Sequence, residues 1–159
     1  MIGFSFRETM RGRFFLLSDP LVERKLSFSL VAQADQLRRF LVDKTCHISG
    51  HVTAEGLATE RPLVGTLKLL LLNERRLPYR FSFTGDDGKP YAFVGQKEFS
   101  PLAPIQTMTE LPAYLYDGAD AEIARAKVHF DVANDLGRFV RSFRPGFSFG
   151  GLWPQKGRA

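Results

Sequence analysis

Large apolar residues alternate with polar ones along most of the chain. From Tyr79 to Thr84, Tyr79, Phe81 and Phe83 alternate with Arg80, Ser82 and Thr84. A period of two puts the three rings on one face of an extended strand. Tyr91, Phe93, Gly95, Lys97 and Phe99 share a face of the next segment. The Gly-Asp-Asp-Gly-Lys-Pro between them has residue types that tolerate positive φ and start turns, so GDDGK reads as a hairpin loop. The alternation recurs in Leu26, Phe28, Leu30 and Ala32, in Ile48, Gly50, Val52 and Ala54, and in Ala124, Ala126, Val128, Phe130 and Val132. Leu63 to Leu72 is apolar on both faces near its end, and Ile105 to Tyr116 is interrupted by Pro112. With Phe4 to Leu17, bent or broken near Gly12, the pattern predicts an antiparallel meander of roughly eight or nine strands.

Two short helices interrupt the meander. Asp35 is the expected cap of DQLRRFLVD, with Leu37, Phe40 and Leu41 on one side, and Asn134 that of DLGRFVRSF, with Leu136, Phe139, Val140 and Phe143 likewise. SFSLVAQADQLRRFL and VHFDVANDLGRFV are alike in order and composition, which suggests two related halves. So many strands with few long crossovers either close into a barrel or fold as a sandwich. The expected fold is all-β, a calycin- or lipocalin-like barrel whose closure shields the LKLLLL strand from edge pairing; a β-sandwich is the alternative.

At 159 residues the chain suits one core. Residues 1–144 form the expected domain and 145–159 a Gly/aromatic tail, whose Phe147, Phe149 and Trp153 would dock on the barrel or on a neighbouring subunit, free disorder of the tail being the alternative. The single Cys46 cannot form an internal disulfide, and no secretory signal or bilayer-length apolar run is present, so a cytoplasmic location is expected. The net charge of +5 permits an anionic partner. The arginines are nevertheless scattered over many elements without an RNA- or DNA-binding signature, which argues for a solvated basic surface and no nucleic acid.

The chemical motifs fail on inspection. GDDGK lacks the first glycine of a P-loop, where Phe83 stands, and its hydroxyl residue, where Pro90 stands. GFSFG at 146–150 matches a nucleophile elbow, yet no Asp, Glu or His follows to serve Ser148. His47 and His51 lie roughly 13 Å apart on a strand rising about 3.3 Å per residue, while Cys46 points to the opposite face, so no metal site is expected. His129 falls on the polar face of its own strand. The carboxylates of Asp86/Asp87, Asp117/Asp120 and Asp135 sit in turns or caps, where they bond backbone donors. No catalytic residue and no cofactor follow from the sequence.

Two charges break the alternation. Glu8 falls on the apolar face of Phe4, Phe6 and Met10, and Lys97 on that of Tyr91, Phe93 and Phe99. A lone charge in a core is too costly, so the two would pair with each other, meet other polar partners, reach water in a cavity or sit near a rim; of these, a Glu8–Lys97 contact inside the barrel is expected. Such a pair could orient the head group of a ligand, with Tyr79, Phe81, Tyr91 and Phe93 supplying apolar walls.

ETMRG, DQLRRFL, HISGHV, PLVGTLKLLLLN, PYRFSFTGDDGKPYAFVGQKEF, LPAYLYDG, AKVHFDV and LGRFVRSFR follow one another in this order. Over roughly residues 3–144 that order resembles a bacterial accessory domain fused or linked to cholesterol-oxidase-like flavin oxidoreductases of the GMC family and to α/β-hydrolases. The resemblance brings no catalytic residues with it, and the chain has neither a dinucleotide-binding glycine motif nor room for a flavin domain. An eight-stranded barrel has room for side chains or one small ligand, and the resemblance points the same way, so a non-catalytic module that holds a lipid, sterol or other apolar molecule is expected, either beside a separate oxidoreductase or in a role of its own. An interaction or self-association domain without a small-molecule ligand is the alternative.

Overall fold

The computed structural model describes residues 2–70, 74–98, 102, 110–130 and 144–147. Its strands are β1 (Ile2–Leu16), β2 (Asp19–Ala34), β3 (Thr45–Ala54), β4 (Ala58–Lys68), β5 (Arg76–Thr84), β6 (Pro90–Glu98), β7 (Glu110–Asp117), β8 (Glu122–His129) and β9 (Arg144–Phe147), with α1 (Leu37–Asp43) between β2 and β3. β2 to β8 pair in sequence, each antiparallel to the next, and β1 pairs with both β2 and β8. Eight strands therefore close into a barrel, and the sandwich alternative falls away. β9 lies outside the ring, on Ile2–Ser5 of β1.

The period-two faces decide what lies inside. Leu26, Phe28, Leu30 and Ala32 are buried, as are Tyr79, Phe81 and Phe83, and Ala124, Ala126 and Val128. The middle of the barrel is filled by side chains: Met10, Phe93, Leu111, Leu115 and Val128 have no exposed surface, and Phe81 stacks on Phe93 at 4.5 Å between ring centroids. β4 is held on one edge by β3 and on the other by β5, with Leu63 and Leu67 inward, but it ends at Lys68, short of the expected Leu72: Leu70 makes only an isolated bridge to Arg76, and Leu71 and Leu72 lie outside the described residues.

Closing so small a ring requires tight coiling, and glycines on the inward face supply it. A Cβ on Gly12, Gly50 or Gly65 would overlap a backbone carbonyl of the neighbouring strand, that of Lys127, Ser29 or Arg80 respectively. Gly12 thus explains why β1 runs unbroken where a bend or break was expected: the glycine lets β8 approach the strand without interrupting it.

The two ends of the barrel differ. One is sealed by the tight connections β1–β2, β3–β4, β5–β6 and β7–β8. At the other, α1 joins β2 to β3, and the stretches 69–75, 99–109 and 130–143 link the remaining strands. α1 begins one residue later than its expected cap implied. Gln36 is the capping position and makes no side-chain bond, while Asp35 accepts from Gln33 Nε2 at 2.8 Å. The helix buries none of its residues; only Phe40 packs inward, edge-on to Phe4 at 5.0 Å. Pro145 to Phe147, expected in the tail, form the end of β9, so the boundary at 144 cuts through a strand. The second helix with its Asn134 cap, residues 131–140 of the second of the two alike stretches, Phe99, residues 105–109, Phe149 and Trp153 lie outside the described residues.

Gly65→Ala is expected to destabilise by more than about 4 kcal/mol, because backbone must move to admit the methyl. Gly88→Ala in the β5–β6 turn, with φ of 76° but nothing within 4 Å, should cost only about 1–2 kcal/mol for the left-handed conformation. Urea unfolding of the two variants checks this, and equal losses would refute the role given to the inward glycines.

Candidate functional site

Glu8 and Lys97 are the only buried charged residues among those described, 6% and 3% exposed. The alternation of β1 turns Glu8 inward beside Phe6 and Met10, and that of β6 turns Lys97 inward opposite Leu77 of β5. They meet across the barrel, Lys97 Nζ donating to Glu8 Oε1. The expected contact is present.

The sequence reading missed the third member. Tyr79 OH donates to Glu8 Oε2 at 2.7 Å, and Lys97 Nζ lies 5.1 Å from the centre of the Tyr79 ring. Tyr79 was assigned an apolar wall; only the register of β5 against β6, which sets Tyr79 beside Gly95 and one inward step from Lys97, reveals its hydroxyl as a partner. Burial, and then the charge of Glu8, push the Tyr79 phenol well above its ordinary pKa, so it stays a neutral donor.

Hydrogen-bond accounting leaves one group incomplete. Both Glu8 oxygens are taken. An ammonium has three donors, and among the described residues Lys97 has one acceptor, Glu8, together with the ring face of Tyr79. The apolar surroundings are Leu77 and Leu67, each beside a triad member in the register, and Leu30 opposite Glu8.

The site lies toward the end with the long connections: Lys97 is the penultimate residue of β6 and Tyr79 stands near the start of β5. Around it the described wall has fewer strand pairings. The β6–β7 ladder stops at Gly95–Ala113, short of Lys97. On the second edge of β1, β9 covers Ile2–Ser5 and β8 covers Arg11–Leu16, while no described strand pairs with 6–10.

The other predicted wall residues lie elsewhere. Phe81 and Phe93 form the packed middle together with Phe28. Tyr91 lies toward the opposite end, where its ring stacks on Phe83 and its hydroxyl donates to Asp87 Oδ2 at 2.6 Å. That bond holds the Tyr91 phenol up at about 12. Open concavities of about 390 Å³ and 320 Å³ occur on the outer surface, one over β1–β3 beside Thr9, Ser29 and His51, the other over β4–β5 beside Lys68 and Arg80. Neither reaches the triad.

GDDGK is a turn, as its composition implied. Gly88 takes positive φ and its N–H donates to the Gly85 carbonyl at 3.0 Å. Asp86 reaches across to β4, accepting from Thr59 N, Thr59 Oγ1 and Arg61 Nε at 2.8–3.0 Å. Those bonds, the one from Arg61 first, hold its carboxyl below the usual range. Cys46 is buried and its thiol is pushed up to about 11 by burial and then by Asp43, whereas His47, His51 and His129 are exposed. Among the described residues no three His, Cys, Asp or Glu side chains group as metal ligands.

No family model, curated protein or solved structure matches the chain. No helix among the described residues is long and apolar enough to cross a membrane.

Two outcomes are expected. Lys97→Met or Glu8→Gln alone should cost about 3–5 kcal/mol by stranding a buried partner, whereas Glu8→Leu combined with Lys97→Met and Tyr79→Phe, which leaves no donor stranded, should be near neutral or stabilising; a double-mutant cycle over Glu8 and Lys97 in urea reads the coupling, and additive losses would dismiss it. Asp86 has a depressed carboxyl pKa, so its contribution is present above the unfolded value near 4 and is lost as pH falls through the lower folded value. Asp86→Asn should therefore lower the melting temperature at neutral pH and lessen its fall on acidification. Parallel melting curves for the two proteins across the acid range would contradict this.

Proposed function

We propose that the barrel is a non-catalytic binding module for an apolar molecule carrying a neutral oxygen acceptor, an alcohol, ketone or ester of lipid or sterol type. The observation that carries the reading is the buried Lys97 ammonium, with donors to spare in apolar surroundings. Glu8 already balances its charge, so a ligand carboxylate would leave the site with a net buried negative charge, which is costly. A neutral oxygen accepts the hydrogen bond without that penalty. Binding is favoured over catalysis because both Glu8 oxygens are engaged and no open base stands beside them among the described residues.

The packed middle of the barrel confines the ligand to the triad's end, with its oxygen on Lys97 and its body against Leu30 and Leu77. The resemblance to a domain that accompanies sterol-oxidising flavoenzymes agrees with an oxygenated apolar ligand and with a separate oxidoreductase as partner. A single cysteine kept as a buried thiol suits a cytoplasmic location.

Native mass spectrometry of protein purified from its own host should find a bound small molecule. In calorimetric titration dodecanol should bind more tightly than dodecanoate, and Lys97→Met, if folded, should weaken dodecanol roughly tenfold or more, the worth of a hydrogen bond to a charged group at about 1.5–3 kcal/mol. Host protein without cargo that also binds neither probe would reject the reading, as would preference for the carboxylate.

A further inference from the structure

Four apolar side chains stand exposed at the end that carries the long connections: Leu37, Leu41 and Val42 of α1, 39%, 58% and 85% exposed, and Leu102 of the β6–β7 connection, 98% exposed. Single exposed leucines are ordinary; a helix that buries none of its residues and projects three of them together is not. Cations surround this helix. Arg38 belongs to it, Lys44 follows it directly, and Lys68 stands opposite Thr45 on the adjoining β4, where the next N–H, that of Leu69, donates to the Lys44 carbonyl at 2.9 Å. Arg75 stands in the following turn, beside the Leu70–Arg76 bridge. These four cations pair with no carboxylate among the described residues. Of the acids nearby, Asp43 is engaged by Arg39 at 3.5 Å and Glu74 by Arg76, while Asp35 before the helix accepts only from the neutral Gln33 amide.

The opposite end supplies the contrast. Leu17, Leu21 and Val22 are exposed there as well, but Asp86, Asp87, Asp117 and Asp120 crowd the turns around them. Apolar exposure alone therefore does not distinguish the ends; the balance of charge beside it does, with carboxylates crowded at the hairpin end and cations around α1.

We propose that the α1 end docks on an anionic membrane surface, with Leu41 and Val42 entering the headgroup boundary and Arg38, Lys44, Lys68 and Arg75 facing the lipid phosphates. Protruding apolar side chains ringed by cations suit a deformable anionic interface, which needs no preformed pocket, and surface potential attracts each cation in addition to the apolar burial. The chain's net charge of +5 acts in the same sense. The inference rests on surface residues and stands apart from the Lys97 ligand: a barrel without cargo can dock, and one that cannot dock can still bind dodecanol.

Co-sedimentation of the full chain with vesicles tests it. Binding to phosphatidylglycerol-rich vesicles is expected, with weaker binding to pure phosphatidylcholine and release by salt. Arg38→Gln with Lys68→Gln should reduce partitioning about 25-fold, each cation near such a surface being worth about fivefold. Leu41→Asp with Val42→Asp should abolish binding, and Leu21→Asp at the far end should leave it unchanged. These positions are exposed, so unchanged melting curves will show that the variants remain folded. Absence of vesicle binding, equal binding to both lipids, or loss on Leu21→Asp alone overturns the proposal. So does a dimer, seen by light scattering without vesicles and broken by Leu41→Asp with Val42→Asp, which would assign the face to a second copy of the chain.

Discussion

The barrel depends on β1 giving hydrogen bonds along both edges. It runs against β2 for most of its length and against β8 over Arg11–Leu16, and where these overlap the chain must pass close to Lys127 and Val128. Only a residue without a side chain admits that approach, and Gly12 occupies the position. Without the β1–β8 ladder, β8 and β1 would each present an open edge, and the inward faces of Phe6, Met10 and Phe14 would have nothing to enclose. Coiling at Gly50 and Gly65 serves the same closure on the far side of the ring.

The charged pair spans this ring from the closing strand to one that is not its neighbour in the ladder. Glu8 and Lys97 are 89 residues apart in sequence, and β7 and β8 lie between their strands in one direction. A one-residue slip of β1 or β6 turns every inward side chain outward. With Tyr79 as donor to the second oxygen, such a slip would also strand a buried acid or base. The pair therefore penalises misregister in a way that an apolar contact, tolerant of sliding, does not. Buried ion pairs often contribute little net stability against a hydrophobic equivalent. Specificity and ligand orientation, more than strength, are the roles open to this one.

Much of this was legible from the chain. Alternation identified the inward faces of β2, β3, β5, β6 and β8, and the same count that placed Phe6 and Phe93 inside exposed Glu8 and Lys97 as inward charges. What resisted were features set by contacts distant in sequence. The Tyr79 hydroxyl was hidden because a ring on an apolar face reads as apolar, and its partner lies on β1. Gly12 read as a break because a glycine's local meaning is freedom, whereas here it marks the approach of another strand. Pro145–Phe147 read as tail because four residues are too few to show a period, and pairing with Ile2–Ser5 makes them a strand. Asp35 has the residue type of a cap, but its side chain is engaged by Gln33.

The asymmetry between the two ends has a chemical origin. At the hairpin end the acids are spent on the fold: Asp87 accepts from Lys89 N, Asp117 from Ala119 N and Ala121 N, and Asp86 from Thr59 and Arg61, each at 2.8–3.0 Å. Carboxylates suit that work because turns expose backbone N–H groups, and a side chain that accepts two of them replaces water without a second chain. Lysine and arginine cannot do the same for N–H donors, so Arg38, Lys44, Lys68 and Arg75 at the other end pair with no carboxylate among the described residues, while Arg39, Arg76 and Lys127 there are held by Asp43, Glu74 and Glu110. Internal acceptors thus tighten one end, while surplus donors collect at the other, inside the barrel on Lys97 and outside around α1. A surplus of donors is a demand for acceptors, and the two acceptors proposed for it, a neutral ligand oxygen within and lipid phosphates without, approach the molecule from the same side.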